Sequence, residues 1–376
     1  MRAEQVGWEH PDVAAMRAAQ QAEIAATYGT PDPGWDMTGG DVLTVVLLRD
    51  DDGTPVACGA LRDATDLGER TGELKRLFVV PARRGQGLAR RVLGELEAAA
   101  TSRGLRQLFA ETGPLQPEAI GLYLAVGYVP TDRFPPYEDD ETSRAFVKDL
   151  VVDTAGVPVR SARAHSLGGS ECRAGAELPS SRPVATRPLG SDADCGRGAR
   201  GVRGAAGADG ADGAAGLVVV RRSWLDDEAV ALRRAMAVTL REMYGPTGWF
   251  ADDETIAASQ RSEAGRALAV LMVRDGGDAV GAVTLSAAPA NRPAGWGELE
   301  RLIVLPAARG RGAARLLLRA AETEARARGL STLTLSTGYR QYPAIRLYLS
   351  SGYRLIAPAG DSWRDQHRLF WFAKPL

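Results

Sequence analysis

The chain has 376 residues, of which 45% are hydrophobic and 25% charged, an ordinary balance for a globular protein. At about 100–200 residues per domain, this length predicts about two domains. The 46 Lys and Arg residues nearly balance the 47 Asp and Glu residues, which argues against a strongly basic nucleic-acid-binding protein. Apolar runs fall short of the roughly 20 residues of a membrane helix, and polar sequence follows Met1, so we expect a cytoplasmic protein with no membrane partner. The three cysteines and three histidines lack metal-ligand spacing, so no metal site is expected.

The chain contains an internal repeat. Three blocks of the first half recur at one offset of 225 residues: Glu73–Pro81 as Glu298–Pro306, Arg84–Ala89 as Arg309–Ala314, and Leu122–Tyr128 as Leu347–Tyr353. A shared offset over separate blocks indicates a tandem duplication. We therefore predict one domain over residues 1–152 and a second over residues 217–376.

The segment between the repeats, residues 153–216, has a different composition. Leu, Ile, Val and Phe make up 7 of its 64 residues, too few for a buried core. Glycine occupies every third position from Gly198 to Gly216. We interpret this segment as a disordered, flexible linker rich in Gly, Ala and Arg.

Hydrophobic periodicity predicts the elements of the first half in chain order. They are a strand over 2–8, a helix over 12–27, a hairpin of strands 42–48 and 56–62, a strand over 74–80, a helix over 88–102, a strand over 105–111, a helix over 117–126 and a strand over 145–150. The second half begins with a strand over 217–222, a helix over 226–243 and a hairpin of strands 267–273 and 279–285. This alternation predicts an α/β fold in which a mixed central sheet is flanked by helices.

A glycine-rich turn joins the strand that ends before Pro81 to the helix that begins at Leu88. Glycines let backbone N–H groups face a ligand, and the positive end of the following helix favours an anion, so a pyrophosphate is the natural ligand. A P-loop is excluded because Leu88 and Ala89, rather than Lys and Ser or Thr, follow Gly87. A dinucleotide-binding fingerprint is excluded because Arg90 stands where its third glycine would be.

This loop, the strand before it and the tyrosine-containing block after it resemble the GNAT family of acyl-CoA-dependent N-acetyltransferases. The resemblance covers 1–152 and 217–376, most specifically 73–128 and 298–353. The first half also resembles a bacterial GNAT subgroup through the run Glu111–Ile120. The resemblance implies two GNAT-like domains, acetyl-CoA as co-substrate, no metal, and a small-molecule amine as acceptor.

The resemblance also implies which residues bind acetyl-CoA. The pyrophosphate would lie on two loops, formed by Arg84, Gly85, Gln86, Gly87, Leu88 and Ala89 in the first half and by Arg309, Gly310, Arg311, Gly312, Ala313 and Ala314 in the second. The pantetheine arm would pair with the backbone of Val79 and Val80, or of Val304 and Leu305, and an N–H group there would polarise the thioester.

Four catalytic residues are implied in the same way. Tyr123 and Tyr348 match the family tyrosine that protonates the departing thiolate, and Glu73 and Glu298 match the carboxylate that takes the amine proton. The tyrosines could instead be packing residues, and Glu73 could simply pair with a neighbouring cation. Glu111 lies near the reacting centre, but its counterpart is Ser336, so it cannot carry a role shared by both halves.

The functional prediction is transfer of an acetyl group from acetyl-CoA to a primary amine, by direct attack through a tetrahedral intermediate. The first half is predicted to be active, and the second to be active on another amine or structural. The alternative is an acetyl-CoA-binding sensor or interaction module in which one or both domains are non-catalytic. A protein N-terminus or lysine as acceptor, and packing of the two domains on each other, stay open.

Overall fold

The computed structural model describes residues 1–30, 39–150, 216–246, 252–360 and 368–376. The predicted linker, apart from its last residue, lies outside these ranges and stays a prediction. The described residues of the two halves form one compact unit. Each half contains a seven-stranded mixed sheet flanked by helices, as the sequence predicts.

The elements of the first half are, in chain order, β1 (Arg2–Val6), α1 (Pro11–Tyr28), β2 (Val42–Arg49), β3 (Pro55–Asp63), β4 (Thr71–Val79), α2 (Leu88–Ser102), β5 (Gln107–Thr112), α3 (Pro117–Ala125), β6 (Val129–Thr131) and β7 (Arg144–Asp149). Their strand order is β1-β2-β3-β4-β5-β7-β6. Within this sheet β4 and β5 run parallel, because α2 returns the chain between them, and the other neighbouring strands are antiparallel.

The second half repeats this order with β8 (Leu217–Arg222), α4 (Asp227–Tyr244), α5 (Asp253–Ala264), β9 (Ala267–Asp275), β10 (Asp278–Ala287), β11 (Trp296–Val304), α6 (Ala313–Ala327), β12 (Thr332–Gly338), α7 (Tyr342–Ser350), β13 (Arg354–Ile356) and β14 (Leu369–Pro375). The strand order of its sheet is β8-β9-β10-β11-β12-β14-β13, the same as in the first half. The strands β11 and β12 are again parallel. Each predicted element is present, with ends that differ by up to three residues.

The predictions missed β6, β13, β14 and α5, and β11, α6, β12 and α7 were expected only through the repeat. The strands β6 and β13 have only three residues each, too few to show an alternating pattern. Helix α5 has a mostly polar sequence and a weak apolar stripe. Pairing with an existing strand, rather than local sequence, determines where such short edge strands form.

The central helix of each half, α2 or α6, packs its apolar face against the sheet. In α2 the predicted stripe of Leu88, Val92, Leu96 and Ala99 is buried, with at most 5% of each residue exposed. Burying an aliphatic side chain of this size contributes about 1.5–3 kcal/mol. Gly59 in β3 permits the close approach of this helix, because a Cβ there would lie 2.8 Å from Cγ1 of Val92.

The described parts of the two halves contact each other through the strands β7 and β14. The ring of Phe146 stacks on that of Phe370, with centroids 6.0 Å apart and an angle of 15° between the planes. Nearby, Arg340 forms an ion pair with Asp132 at 2.6 Å. Separately, no helix among the described residues is both long and apolar enough to span a membrane.

Candidate active site

The glycine-rich loop has the same backbone in both halves. Gly85 and Gly87 have φ angles of 75° and 78°, and Gly310 and Gly312 have 78° and 81°. This left-handed conformation favours glycine. A Cβ added to any of the four would meet no atom within 4 Å, so open space lies beside the loop. Gly87 and Gly312 are the N-cap residues of α2 and α6 and supply no side-chain cap, which leaves the first N–H groups of each helix for a ligand.

The arginines of these loops have two different roles. Arg84 and Arg309 each donate from Nε to the last carbonyl of the preceding strand, Val79 O and Val304 O, at 3.1 Å in both cases. These bonds fix the loop against the strand. Arg311 instead forms an ion pair with Asp275, whose carboxyl pKa is lowered mainly by that hydrogen bond.

A backbone bulge interrupts the strand that leads into each loop. Arg76 in β4 has a φ angle of 52° and Arg301 in β11 one of 55°, values uncommon for residues other than glycine. The pairing register shifts there: two residues of β4, Arg76 and Leu77, face the single residue Gly59 of β3. Bulges of this kind turn backbone groups out of the ladder and often occur beside active sites. No sequence signal marks them, because arginine has no preference for this conformation.

In each half the pairing between the two parallel strands ends a few residues before the bulge. Pairing of β4 with β5 covers Thr71 to Leu74, although β4 continues to Val79. Pairing of β11 with β12 similarly covers Trp296 to Glu298. A stretch of each strand is thus left without a parallel neighbour among the described strands, and an extended ligand can pair with it.

The two predicted catalytic glutamates lie in different electrostatic settings. Glu73 is fully buried, and its carboxylate contacts Nε of Arg62 at 2.9 Å and Nζ of Lys75 at 2.8 Å. Glu298 contacts Arg266 at 3.2 Å, and Glu300 stands beside it. Burial, followed by repulsion from Glu300, raises the pKa of Glu298 to about 7.

Glu111, at the end of β5, is a further carboxyl group in the vicinity of Glu73. It is half-buried, and desolvation raises its pKa to about 7 against the opposing effects of Lys75 and Ser143. The structure therefore places two carboxyl groups close together in the first half, Glu73 and Glu111. The sequence analysis expects Glu111 near the reacting centre, which stays a prediction, and its raised pKa has no signal in the sequence.

The two predicted catalytic tyrosines are buried on α3 and α7. Tyr123 is 4% exposed and Tyr348 is 6% exposed. Desolvation raises the pKa of both phenols, so both stay protonated at neutral pH. Tyr123 packs on Phe146 with centroids 5.5 Å apart, and Tyr348 packs on Phe372 at 5.7 Å, so each ring also belongs to the core.

A second tyrosine in each half fixes the loop before helix α3 or α7. The Tyr28 hydroxyl accepts a hydrogen bond from Leu115 N at 3.1 Å, and the Tyr244 hydroxyl accepts one from Arg340 N at 3.2 Å. A glycine makes room for each hydroxyl, since a Cβ at Gly113 would lie 1.9 Å from the Tyr28 oxygen. In the sequence each of these tyrosines precedes a glycine, Gly29 or Gly245, but their hydrogen-bond partners are visible only in the structure.

Each half thus combines a glycine loop, a strand bulge and parallel strands that separate. This arrangement is typical of an acyl-CoA-dependent acyltransferase. The model of the acetyltransferase (GNAT) family matches residues 16–128 and 234–353, more than half of the chain, and the protein belongs to that family. It is an acyl-CoA-dependent acetyltransferase with two such domains. The proposed subgroup of the first half is not tested by this match.

Similar proteins match part of this chain. An IAA acetyltransferase of Azospirillum brasilense is 39% identical over 110 residues, which are 29% of this chain and 69% of that protein. An aminoalkylphosphonate N-acetyltransferase of Salmonella typhimurium is 39% identical over 79 residues, which are 21% of this chain and about half (51%) of that protein. A solved PaiA N-acetyltransferase of Thermoplasma acidophilum in complex with coenzyme A is 16% identical, with a TM-score of 0.32, over 43% of this chain and 99% of that one.

No cluster of three or more His, Cys, Asp or Glu side chains suited to a metal ion occurs among the described residues. Cys58, the described cysteine, is a buried free thiol. Cys172 and Cys195 lie outside the described ranges.

Proposed function

We propose that the protein transfers an acetyl group from acetyl-CoA to the primary amine of a small molecule. The observation that carries this proposal is the coincidence, in both halves, of an open glycine loop, a strand bulge and an unpaired strand edge. Packing of the two domains into one body is part of the proposal.

The residues present fit acetyl-CoA. The open space beside Gly85 and Gly87 and the uncapped start of α2 suit a pyrophosphate, and the same holds for Gly310 and Gly312 at α6. The unpaired edge of β4 or β11 suits the pantetheine arm. Val80 N already donates to Val56 O, and Leu305 N to Val280 O. We therefore place the N–H group that polarises the thioester nearer the bulges at Arg76 and Arg301.

The chemistry follows from these positions. The amine nitrogen attacks the thioester carbon through a tetrahedral intermediate, so that a C–N bond forms and the C–S bond breaks. The phenol of Tyr123 or Tyr348 gives its proton to the departing thiolate. This proton is available because burial keeps the phenol protonated. A carboxylate takes the proton released by the amine.

The proton acceptor differs between the halves in this proposal. In the second half Glu298 serves, because a pKa of about 7 suits a base at neutral pH. In the first half the Glu73 carboxylate is held by Arg62 and Lys75, and Glu111, with its pKa of about 7, lies close by. We infer that Glu111 accepts the proton there and that Glu73 orders Lys75 and Arg62.

The small-molecule acceptor is supported by the names of the relatives. An aminoalkylphosphonate N-acetyltransferase acts on an amine of low molecular mass, and it matches 79 residues of this chain. By this analogy we include aminoalkylphosphonates, amino acids and simple amines among the acceptors to be tested.

The experiment is a two-part measurement on the full chain. Calorimetry counts acetyl-CoA sites, and a thiol assay follows CoA release with each amine. Release that depends on an amine, with formation of the N-acetyl product, is the expected result. Acetyl-CoA binding without amine-dependent release for any acceptor class would instead favour the sensor or interaction module.

A further inference from the structure

A contact between the two halves lies beside the turn that leads into α7. Asp132, directly after β6 of the first half, accepts hydrogen bonds from two consecutive residues of the second half, Tyr339 and Arg340. Both donors lie in the turn between β12 and α7. Because α7 carries Tyr348, a side chain of one half contacts the segment that leads to the predicted proton donor of the other half.

The Asp132 carboxylate is bound by two side chains of this turn. Nη2 of Arg340 lies 2.6 Å from Oδ1 of Asp132 and 2.8 Å from Oδ2, and Nε of Arg340 lies 3.1 Å from Oδ1. The Tyr339 hydroxyl donates to the same Oδ1 atom. Burial alone would raise the pKa of the Asp132 carboxyl, but the hydrogen bonds from Tyr339 and Arg340 together hold it below its ordinary value. The carboxylate is therefore charged at neutral pH.

Arg340 connects this carboxylate to the body of the second half. Its Nη1 donates to the carbonyl of Met243, in the last turn of α4, at 2.8 Å, and its backbone N–H donates to the Tyr244 hydroxyl at 3.2 Å. The ring of Tyr244 also lies near that of Tyr339, with centroids 6.0 Å apart. The next residue, Gln341, is the N-cap of α7. The position of Arg340 thus fixes where α7 begins.

The setting of this ion pair decides how much it contributes, because an isolated ion pair in solvent contributes little. The side chain of Asp132 is 65% exposed and that of Arg340 is 43% exposed. Bidentate geometry and membership of a network are the conditions under which exposed pairs matter. Here one arginine bridges a carboxylate, the end of a helix and, through its backbone, a tyrosine hydroxyl. The pair therefore restrains the turn and not only two flexible side chains.

The same contact cannot form in the opposite direction. At the repeat offset of 225 residues, the position of Asp132 is taken by Ala357, and the two residues of the turn correspond to Pro114 and Leu115. None of these side chains carries a charge or a hydrogen-bonding group. An ion pair of this kind thus holds the turn of the second half and has no equivalent at the turn before α3.

We propose that Asp132 is a positioning residue of the second half: it holds the turn at Tyr339 and Arg340 so that α7 presents Tyr348 to the departing thiolate. The inference rests on the proposed function of the second half and deepens it, because that active site then depends on a residue of the first half. The dependence runs in one direction, so the first half does not need the contact for its own turnover.

The kinetic test measures each half separately in the full chain. Gly87→Glu, which places a carboxylate in a pyrophosphate loop, blocks the first half, and Gly312→Glu blocks the second. With the first half blocked, Asp132→Asn should lower kcat about three- to tenfold and leave the Kd of acetyl-CoA unchanged, because the substitution keeps the shape and removes the charge. With the second half blocked, the same substitution should not change turnover.

Two further variants show that the effect belongs to the charge of this residue. Asp132→Glu restores the carboxylate and should recover part of the lost kcat. Asp139→Asn is the matched control, since Asp139 is an exposed aspartate of the same connection between β6 and β7 and should leave both halves unchanged. An equal loss in Asp132→Glu and Asp132→Asn would overturn the role of the charge.

Hydrogen exchange supplies a readout that does not need acetyl transfer. Mass spectrometry of the full chain follows the amide protons of the turn, including the Arg340 N–H that donates to Tyr244. Asp132→Asn should raise the exchange rate of this segment at least about threefold, because the turn opens more often. The equivalent N–H of Leu115, which donates to Tyr28 in the first half, should exchange as in the wild type. Unchanged exchange at the Arg340 segment would overturn the inference.

The two readouts separate this inference from the proposed function. Faster exchange together with a lower kcat of the second half would support both. Faster exchange with an unchanged kcat of an active second half would overturn the positioning role. Faster exchange in a chain whose second half acetylates no amine would support the hold of Asp132 on the turn and overturn the proposed function of that half.

Discussion

The two halves of the chain have the same backbone at the glycine loop and the strand bulge, but they differ in side chains at the neighbouring strand ends. The loops at Gly87 and Gly312 and the bulges at Arg76 and Arg301 agree within a few degrees of φ. At the end of β5 and the start of β7, by contrast, Glu111 corresponds to Ser336, and the register position of Arg144 is taken by Phe370. The backbone features thus agree between the two halves, whereas these side chains differ.

The two strand glutamates have neighbours of opposite charge at one equivalent position. Lys75 pairs with Glu73 in the first half, and at the same repeat offset the second half has Glu300 beside Glu298. A neighbouring cation stabilises a carboxylate, whereas a neighbouring anion disfavours its ionisation. Burial, followed by repulsion from Glu300, raises the pKa of Glu298 to about 7, and burial raises the pKa of Glu111 to about 7 although Lys75 opposes it.

The largest expected effect tests whether both loops bind acetyl-CoA. Gly87→Glu and Gly312→Glu each place a carboxylate and a strained φ of about 80° in one loop, so binding at that site should fall at least about 100-fold. Calorimetry should show two sites in the wild type and one in each variant. Gly94→Glu is the control, because Gly94 is exposed on α2 with open space around it. Two intact sites in either loop variant would contradict the assignment of that loop.

The next effect concerns the proton donor. Tyr123→Phe, measured in the Gly312→Glu background, should lower turnover about tenfold or more with little change in acetyl-CoA affinity, because only the leaving thiolate loses its donor. Tyr348→Phe in the Gly87→Glu background tests the second half in the same way. Tyr128→Phe is the control, since that buried hydroxyl has no hydrogen-bond partner among the described residues. Unchanged turnover in Tyr123→Phe would leave that tyrosine as a packing residue.

The smallest effect is a difference in pH dependence. With a base whose pKa is about 7, the rate should rise as pH increases through 7 and fall about tenfold per unit well below it. Glu111→Gln should remove this limb in the first half and Glu298→Gln in the second, each measured with the other loop blocked. Glu95→Gln, an exposed acid on α2, should leave both profiles unchanged. A limb that disappears with Glu73→Gln but persists in Glu111→Gln would return the role of base to Glu73.

The same raised carboxyl pKa has a consequence for stability. The Glu298 carboxyl has a pKa of about 7 in the folded protein and 4.5 as its ordinary value, so between these values the folded state holds more protons. The contribution of this group to the free energy of unfolding is therefore largest below about pH 4.5 and declines as pH rises towards 7. Glu298→Gln should flatten that decline in chemical denaturation.

Much of the fold could be predicted from the sequence because its signals are local. The buried stripe of Leu88, Val92 and Leu96 follows helical spacing, and the glycines at 85 and 87 indicate a turn by themselves. The bulge at Arg76 could not be predicted, since strand pairing imposes that conformation on a residue that does not prefer it. The raised pKa of Glu111 and the contacts of Asp132 with the second half depend on neighbours distant in sequence.

The bulges also bear on how a duplicated enzyme can change its specificity. A backbone N–H group at a bulge is positioned by the fold. A side-chain mutation nearby does not remove it as long as the strand pairing is preserved. Arg76 and Arg301 show that even the residue at the kink need not be glycine. Mutations can therefore change all the side chains that would contact the acceptor in one copy, while the backbone N–H groups of the bulge keep their positions. Such a copy can then acquire activity on a second substrate.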